Sequence, residues 1–208
     1  MAEEYNNFLF EDLEIAESQK SSLRRRADSV KEKRCRYLLA VLEYPGNFSN
    51  VGAVIRNIDG LGISKLYIVG HSPNGKKHRR WIQDSSVGAA KHVYVRYFDT
   101  TEKCLEHLHK RGYKSLVTSP HQKGKKNIPL REGRYTKYGK LAVWFGNESS
   151  GISHKAINGS DGCINIDMCG IVESLNLAVS TGLVMHHIAS QKREYWQAKK
   201  NKRISDVH

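Results

Sequence analysis

Residues 141–153 read LAVWFGNESSGIS. The apolar run Leu141–Phe145 is short and ends at a glycine, which predicts a strand buried on both faces. It opens into Gly146-Asn147-Glu148 and closes at Gly151, with Glu148 at the tip. In open α/β sheets, ligands bind where the carboxyl end of a strand opens into such a loop. The same segment also suits an ordinary tight turn followed by Ser153 as a helix cap.

Similar short runs recur on either side. Tyr37–Leu42 (YLLAVL), Lys65–Val69 (KLYIV), residues 92–95 (HVYV), Ser115–Thr118 (SLVT) and Cys163–Ile166 (CINI) predict strands. Helical periodicity or composition predicts helices over 49–60, 100–111, 153–158 and 174–190. Strands alternating with helices predict an α/β fold: a parallel sheet with helices on both faces. The sequence divides into a charged arm over 1–36, one domain over 37–190 and a basic tail over 191–208.

Two further stretches carry candidate chemistry. In residues 47–63, NFSNVGAVIRNIDGLGI, Val51, Val54, Ile55 and Ile58 make one apolar stripe. At about 100° per residue, Arg56 lies opposite that stripe, on a face where Gly52 and Ala53 allow a phosphate or another backbone to come close. Equally, Arg56 suits a solvated face and Asn50 an N-cap. In residues 163–185, CINIDMCGIVESLNLAVSTGLVM, a strand leads through Gly170 to Ser174-Leu175-Asn176 and a helix apolar on nearly every side. Such a helix is buried on more than one side, either in the core alone, with Ser174 as its cap, or partly in a subunit interface.

The 208 residues carry 34 Lys and Arg against 21 Asp and Glu, a net charge of +13. Residues 18–36 and 123–140 are each net +6, while 76–80 and 186–208 are each net +4. Such clustering points to a polyanion, with RNA first. The basic segments lack the apolar face of a membrane-surface helix, and no run reaches the roughly 18 apolar residues of a membrane span. The acidic N-terminus lacks a signal-peptide layout. Four cysteines without a C-x-x-C pair fit reduced cytoplasmic thiols. Gly70–Lys77, GHSPNGKK, comes close to a phosphate-binding loop, but Lys77 stands where a magnesium-binding hydroxyl is needed, so it reads as a basic loop. The ten histidines form no H-E-x-x-H pattern, and no metal is expected.

Together the three stretches resemble the three signature motifs of the SpoU/TrmH family of SPOUT RNA methyltransferases. Asn50, Arg56 and Gly62 match the first; Gly146, Glu148 and Gly151 the second; Ile166, Met168, Gly170 and Ser174-Leu175-Asn176 the third. The resemblance spans about residues 37–190. It implies a C-terminal deep trefoil knot, a homodimer, and methyl transfer from S-adenosylmethionine to a ribose 2′-hydroxyl in RNA. Thr118, Gly146, Ile166, Met168 and Leu175 would hold the cofactor, largely through main-chain groups. Arg56, Asn50, Glu148, Ser174 and Asn176 would form the catalytic set, with Arg56 reaching the partner subunit's cofactor. The family proposes Arg56 as the base, but a guanidinium stays protonated, and orienting the hydroxyl is physically easier. Charged arms around a single domain favour tRNA, at a D-loop guanosine, over rRNA; the alternative of another class is a catalytically silent RNA-binding module. One departure stands out: Asp167 occupies the place of a family proline, and Ala178 that of a small polar residue.

Overall fold

The computed structural model describes residues 25, 29–30, 33–70, 76–119 and 127–205. Most of the charged arm, residues 71–75 of the GHSPNGKK segment and part of the basic loop after Thr118 lie outside the described residues. The chain divides into two compact units, Met1–Arg34 and Cys35–His208, and the sheet belongs wholly to the second.

Seven strands form one parallel sheet: β1 (Leu38–Glu43), β2 (Lys65–Val69), β3 (Tyr94–Phe98), β4 (Lys114–Thr118), β5 (Asn127–Pro129), β6 (Leu141–Phe145) and β7 (Gly162–Asn165). Their order is β3-β2-β1-β6-β4-β7-β5. The helices are α1 (Phe48–Gly60), α2 (Lys76–Ser86), α3 (Thr101–Lys110), α4 (His154–Gly159) and α5 (Leu177–Ser205). Strand side chains alternate between two apolar layers, as the two-residue period requires. Leu38, Ala40, Leu42, Val143 and Phe145 join α1, α2 and α5 on one face. Leu39, Val41, Ala142 and Trp144 join Leu105 and Leu108 of α3 and Ile157 of α4 on the other. Every residue of β1 and β6 is buried, so β6 reads as an unbroken apolar run and β1 as one up to Glu43.

Four sequence expectations shift. The KKHRR run is the start of α2, not a loop. Gly52 makes its seat: a Cβ there would stand 2.6 Å from the Ser85 Cβ and 2.8 Å from the Ile82 carbonyl oxygen. β5 was not expected, being three residues long at the sheet edge. β3 begins at Tyr94 because Ala89–Lys91 turn as a 3-10 helix that His92 closes. Helix α5 starts three residues later than Ser174 and runs on to Ser205, so the described basic tail continues it.

β1, β2 and β3 run outward in one direction. The chain then places β4 and β5 on the other side, and β6 and β7 enter between strands already laid. The carboxyl ends of β1, β6, β4 and β7 therefore adjoin one another where the winding changes direction, the usual ligand crevice of such sheets.

Candidate active site

Three loops meet at these strand ends. The turn after β1 enters α1 through Asn47, whose side chain accepts a 2.8 Å hydrogen bond from the Ser49 N–H. Asn47 is thus the cap, which frees Asn50 in the first turn of α1 for another partner. The Asn50 amide Nδ2 donates to Glu148 Oε1 at 2.8 Å, and the Gly46 N–H donates to Glu148 Oε2 at 2.8 Å. Asn176 Nδ2 in turn donates to Asn50 Oδ1 at 3.2 Å. Asn176 Oδ1 accepts from the N–H groups of Ala178 at 2.8 Å and Val179 at 3.4 Å. Asn176, not Ser174, therefore caps α5. One polar chain, Asn176–Asn50–Glu148, joins one residue from each of the three stretches. Partial burial pushes the Glu148 carboxyl up, but hydrogen bonds from Asn50, Gly46 and neighbouring backbone outweigh it and hold it below the usual carboxylate value.

The loop over 146–152 is shaped for close backbone approach. Asn147 and Gly151 exchange backbone hydrogen bonds of 3.0 and 2.9 Å. A Cβ on Gly146 would lie 2.3 Å from the Gly151 carbonyl carbon and the Ile152 nitrogen, so glycine is required. Asn147, given no role of its own from the sequence, organises the turn. Its Oδ1 accepts from the Ser149 and Ser150 N–H groups at 2.8 and 3.0 Å, and its Nδ2 donates to the Tyr44 carbonyl at 2.7 Å. The signal was available: asparagine after a strand-ending glycine, followed by serines, is the composition of an Asx turn.

Glu43 was also missed, hidden at the end of an apolar run. Only 1% of its surface is exposed. Its Oε1 accepts from the hydroxyls of Thr101 at 2.5 Å and Ser153 at 2.7 Å, and its Oε2 from the Ser153 N–H at 2.8 Å. Ser153 itself caps α4 by accepting from the Ala156 N–H at 3.1 Å. A buried carboxylate is tolerable because three donors meet it, and together they pin the far end of the 146–152 loop to β1.

The remaining expected residues fall into two groups. Thr118 ends β4, where its hydroxyl donates to the Trp144 carbonyl at 2.8 Å and ties β4 to β6. Ile166 packs against the core beyond β7, Met168 is half-buried, and Leu175 is exposed. Thr118 and Gly146 thus stand at the ends of the adjoining strands β4 and β6, and Ile166 follows the end of β7. Arg56 and Ser174 are exposed and stand outside the polar chain, and Arg56 makes no hydrogen bond or ion pair among the described residues. Asn57, next to Arg56, instead fastens α1 to α5 by donating to the Ala178 carbonyl at 2.9 Å. Asp167 forms an ion pair of 3.3 Å with Arg131. Among the described residues no group of His, Cys, Asp or Glu is arranged to hold a metal ion, and no helix is long and apolar enough to cross a membrane.

The three loops at the ends of adjoining strands are thus tied together by the Asn176–Asn50–Glu148 chain. Comparison with known proteins assigns the chain to a family. The chain is 30% identical over 170 residues to the tRNA (guanosine(18)-2′-O)-methyltransferase of Aquifex aeolicus, covering 82% of this chain and 77% of that one. It is 30% identical over 169 residues to the enzyme of the same name from Thermus thermophilus, covering 81% and 82%. The crystal structure of the A. aeolicus TrmH/SpoU tRNA modifying enzyme superposes with a TM-score of 0.68 at 26% identity, covering 83% of this chain and 85% of that one. The family model of the SpoU rRNA methylases matches residues 37–186, an interval containing all three loops and the polar chain between them. The chain belongs to the SpoU rRNA methylase family.

Proposed function

We propose that this chain transfers the methyl group of S-adenosylmethionine to the ribose 2′-hydroxyl of a D-loop guanosine in tRNA, in the cytoplasm and as a homodimer. The observation that carries this is the Asn176–Asn50–Glu148 chain, which links all three motif segments at the carboxyl ends of adjoining strands. The two relatives named above act on guanosine in tRNA by their names, which favours tRNA over rRNA.

The crevice suits the cofactor. Gly146 leaves no room for a side chain and so presents main chain, while Ile166, Met168 and Leu175 offer apolar surface for a purine ring. Thr118, Gly146, Ile166, Met168 and Leu175 would hold the cofactor, which when bound supplies an activated methyl group and needs no metal. The chain's own task is then alignment of the ribose. Arg56 carries a planar, permanently charged fork suited to a phosphate. It orients the 2′-oxygen and stabilises the negative charge that develops there as the hydroxyl proton passes to solvent water, while the methyl would part from the cofactor's sulfur and leave a neutral thioether. Asn50, Glu148 and Asn176 fix the start of α1 against the start of α5, with Ser174 just before the cap, and so set where Arg56 projects.

Two structural features support the finer parts of the proposal. The entry of β6 and β7 between strands already laid favours the trefoil knot. Exposed Ile171, Val172, Leu175, Val179 and Leu183, beside the buried side of α5, favour a second subunit there, with Arg56 reaching the partner subunit's site. The domain over 37–190 would hold the chemistry, and the arm over 1–36 and the tail over 191–208 would hold RNA.

The test incubates the protein with methyl-labelled S-adenosylmethionine and an unmodified tRNA transcript, then maps the label. One labelled D-loop guanosine, lost when that nucleotide is 2′-deoxy, is the expected result. Absence of cofactor binding by calorimetry would leave a silent RNA-binding module instead.

A further inference from the structure

The last buried residue described in α5 is Lys192, whose Nζ donates to the Tyr138 carbonyl at 2.5 Å. From Glu194 to Lys202 every residue is exposed, so this part of the helix runs on beyond the surface it packs against. Two large aromatic rings lie on it. Trp196 is 52% exposed and Tyr195 is 38% exposed. Their ring centroids are 5.7 Å apart at an interplanar angle of 71°. The Lys199 ammonium sits 4.8 Å from the Tyr195 ring centroid and 5.8 Å from that of Trp196.

Burial does not explain these rings. Their helical neighbours, Gln197, Ala198, Lys199, Lys200 and Asn201, give no apolar patch that a protein partner would need. The exposed apolar residue Leu183 lies 13 positions earlier, about 20 Å along the helix, so the rings do not continue that surface. The local charge is positive: Lys199, Lys200 and Lys202 are exposed, against the single carboxylate Glu194. Aromatic faces set among cations on a solvated helix match an unpaired nucleobase and its phosphate, because every base has a face that stacks and every nucleotide a charge to neutralise.

We infer that Trp196 and Tyr195, held by Lys199, form a stacking platform for an unpaired nucleotide of the RNA, remote in sequence from the methyl-transfer motifs. The inference rests on the RNA-directed activity proposed above. Trp196 takes the base on its open face, and Lys199 both keeps the two rings together and, with the lysines beyond it, neutralises backbone phosphate.

The experiment combines tryptophan fluorescence with binding in a Trp81→Phe background. There the emission comes from Trp196 and from Trp144, which is fully buried. The ligands are an unmodified tRNA transcript, single-stranded poly(U) and an RNA duplex of matched charge. The tRNA and poly(U) should quench the Trp196 emission and the duplex should not. Trp196→Ala should weaken tRNA binding roughly 5- to 150-fold without altering the slope of log affinity against log salt. Lys199→Gln should lower that slope by about one. An exposed position keeps these variants folded, which an unchanged Tm verifies. Equal quenching by the duplex, or tRNA binding by Trp196→Ala within twofold of the parent, would overturn the platform. So would quenching that rises with protein concentration in the absence of RNA, since a second copy would then cover the rings. If the parent methylates tRNA and Trp196→Ala binds equally well, the platform alone falls. If the parent binds no RNA at all, the proposed function falls with it.

Discussion

Replacing Asn50 by aspartate changes one atom and inverts the role of that atom. The Asn50 amide now donates to Glu148 Oε1 at 2.8 Å. In Asn50→Asp an anionic oxygen faces the carboxylate at that separation. Two unit charges 2.8 Å apart repel by about 1.5 kcal/mol at the dielectric constant of water and about 6 kcal/mol at an effective value of about 20. A hydrogen bond to a charged group, about 1.5–3 kcal/mol, is lost as well. Loop displacement and solvent relieve part of this, so the net cost at pH 8 should be about 2–4 kcal/mol. The cost is pH-dependent with a definite sign. In the parent, Glu148 is held below its ordinary value, so its contribution is present above the unfolded value and lost as pH falls through the folded one. In the variant, the pair's folded value is raised, so the folded state binds the extra proton and the penalty disappears as pH falls. Protonation of the introduced carboxyl even restores a donor where the amide stood. Urea denaturation from pH 8 to pH 5 should show the gap between parent and Asn50→Asp closing, while Asn50→Ala keeps a constant gap. A gap below about 0.5 kcal/mol at pH 8, or one that does not change with pH, would show that Asn50 and Glu148 do not meet as described.

Four other outcomes follow from the same geometry. Arg56→Ala should leave Tm and cofactor affinity unchanged and slow single-turnover methylation by about 10²–10⁴-fold, because Arg56 is exposed and supports no packing. Glu43→Ala strands the donors of Thr101 and Ser153 and should cost about 3 kcal/mol in urea denaturation, whereas in Glu43→Gln the two hydroxyls can rotate to accept, for about 1 kcal/mol. Gly146→Ala drives a methyl group into the backbone of Gly151 and Ile152; it should cost about 1–3 kcal/mol and weaken S-adenosylmethionine binding by calorimetry. Leu183→Glu, at an exposed position of α5, should convert a dimer into a folded monomer in sedimentation, and a parent that sediments as a monomer would remove the basis for it.

The middle of the sheet was legible because β1, β2 and β6 are buried almost throughout and so read as apolar runs, whereas the short, partly exposed β5 at the edge was not. Helix α1 was legible because Val51, Val54, Ile55 and Ile58 repeat at its period and are all buried. Helix α2 was not, since its sequence shows mostly charge and the room for its backbone is made by Gly52 on a different helix. The length of α5 was missed where composition turned basic at Ser190, although no glycine or proline intervenes between Gly182 and Ser205 to stop a helix. Within the site, spacing alone left Asn50 and Ser174 as caps. The actual caps, Asn47 and Asn176, are chosen by which side chain reaches the free N–H groups, and that choice released Asn50 to bridge the three loops.

Asp167 shows how the same loop can be ordered by different physics. A proline at that position restricts the unfolded chain, which is worth about 0.4–1 kcal/mol where the folded geometry allows it. Asp167 gives up that restriction and pairs instead with Arg131 at 3.3 Å, both side chains being substantially exposed. An exposed pair contributes about 0.2–1 kcal/mol, a similar size from a different source. The two differ in their dependence on salt: chain stiffness is indifferent to it, whereas the ion pair is screened. The loop between Ile166 and Asn176 therefore gains a link to Arg131, just beyond β5, and its order becomes sensitive to ionic strength while its backbone remains free to follow the three loops that Asn50 joins.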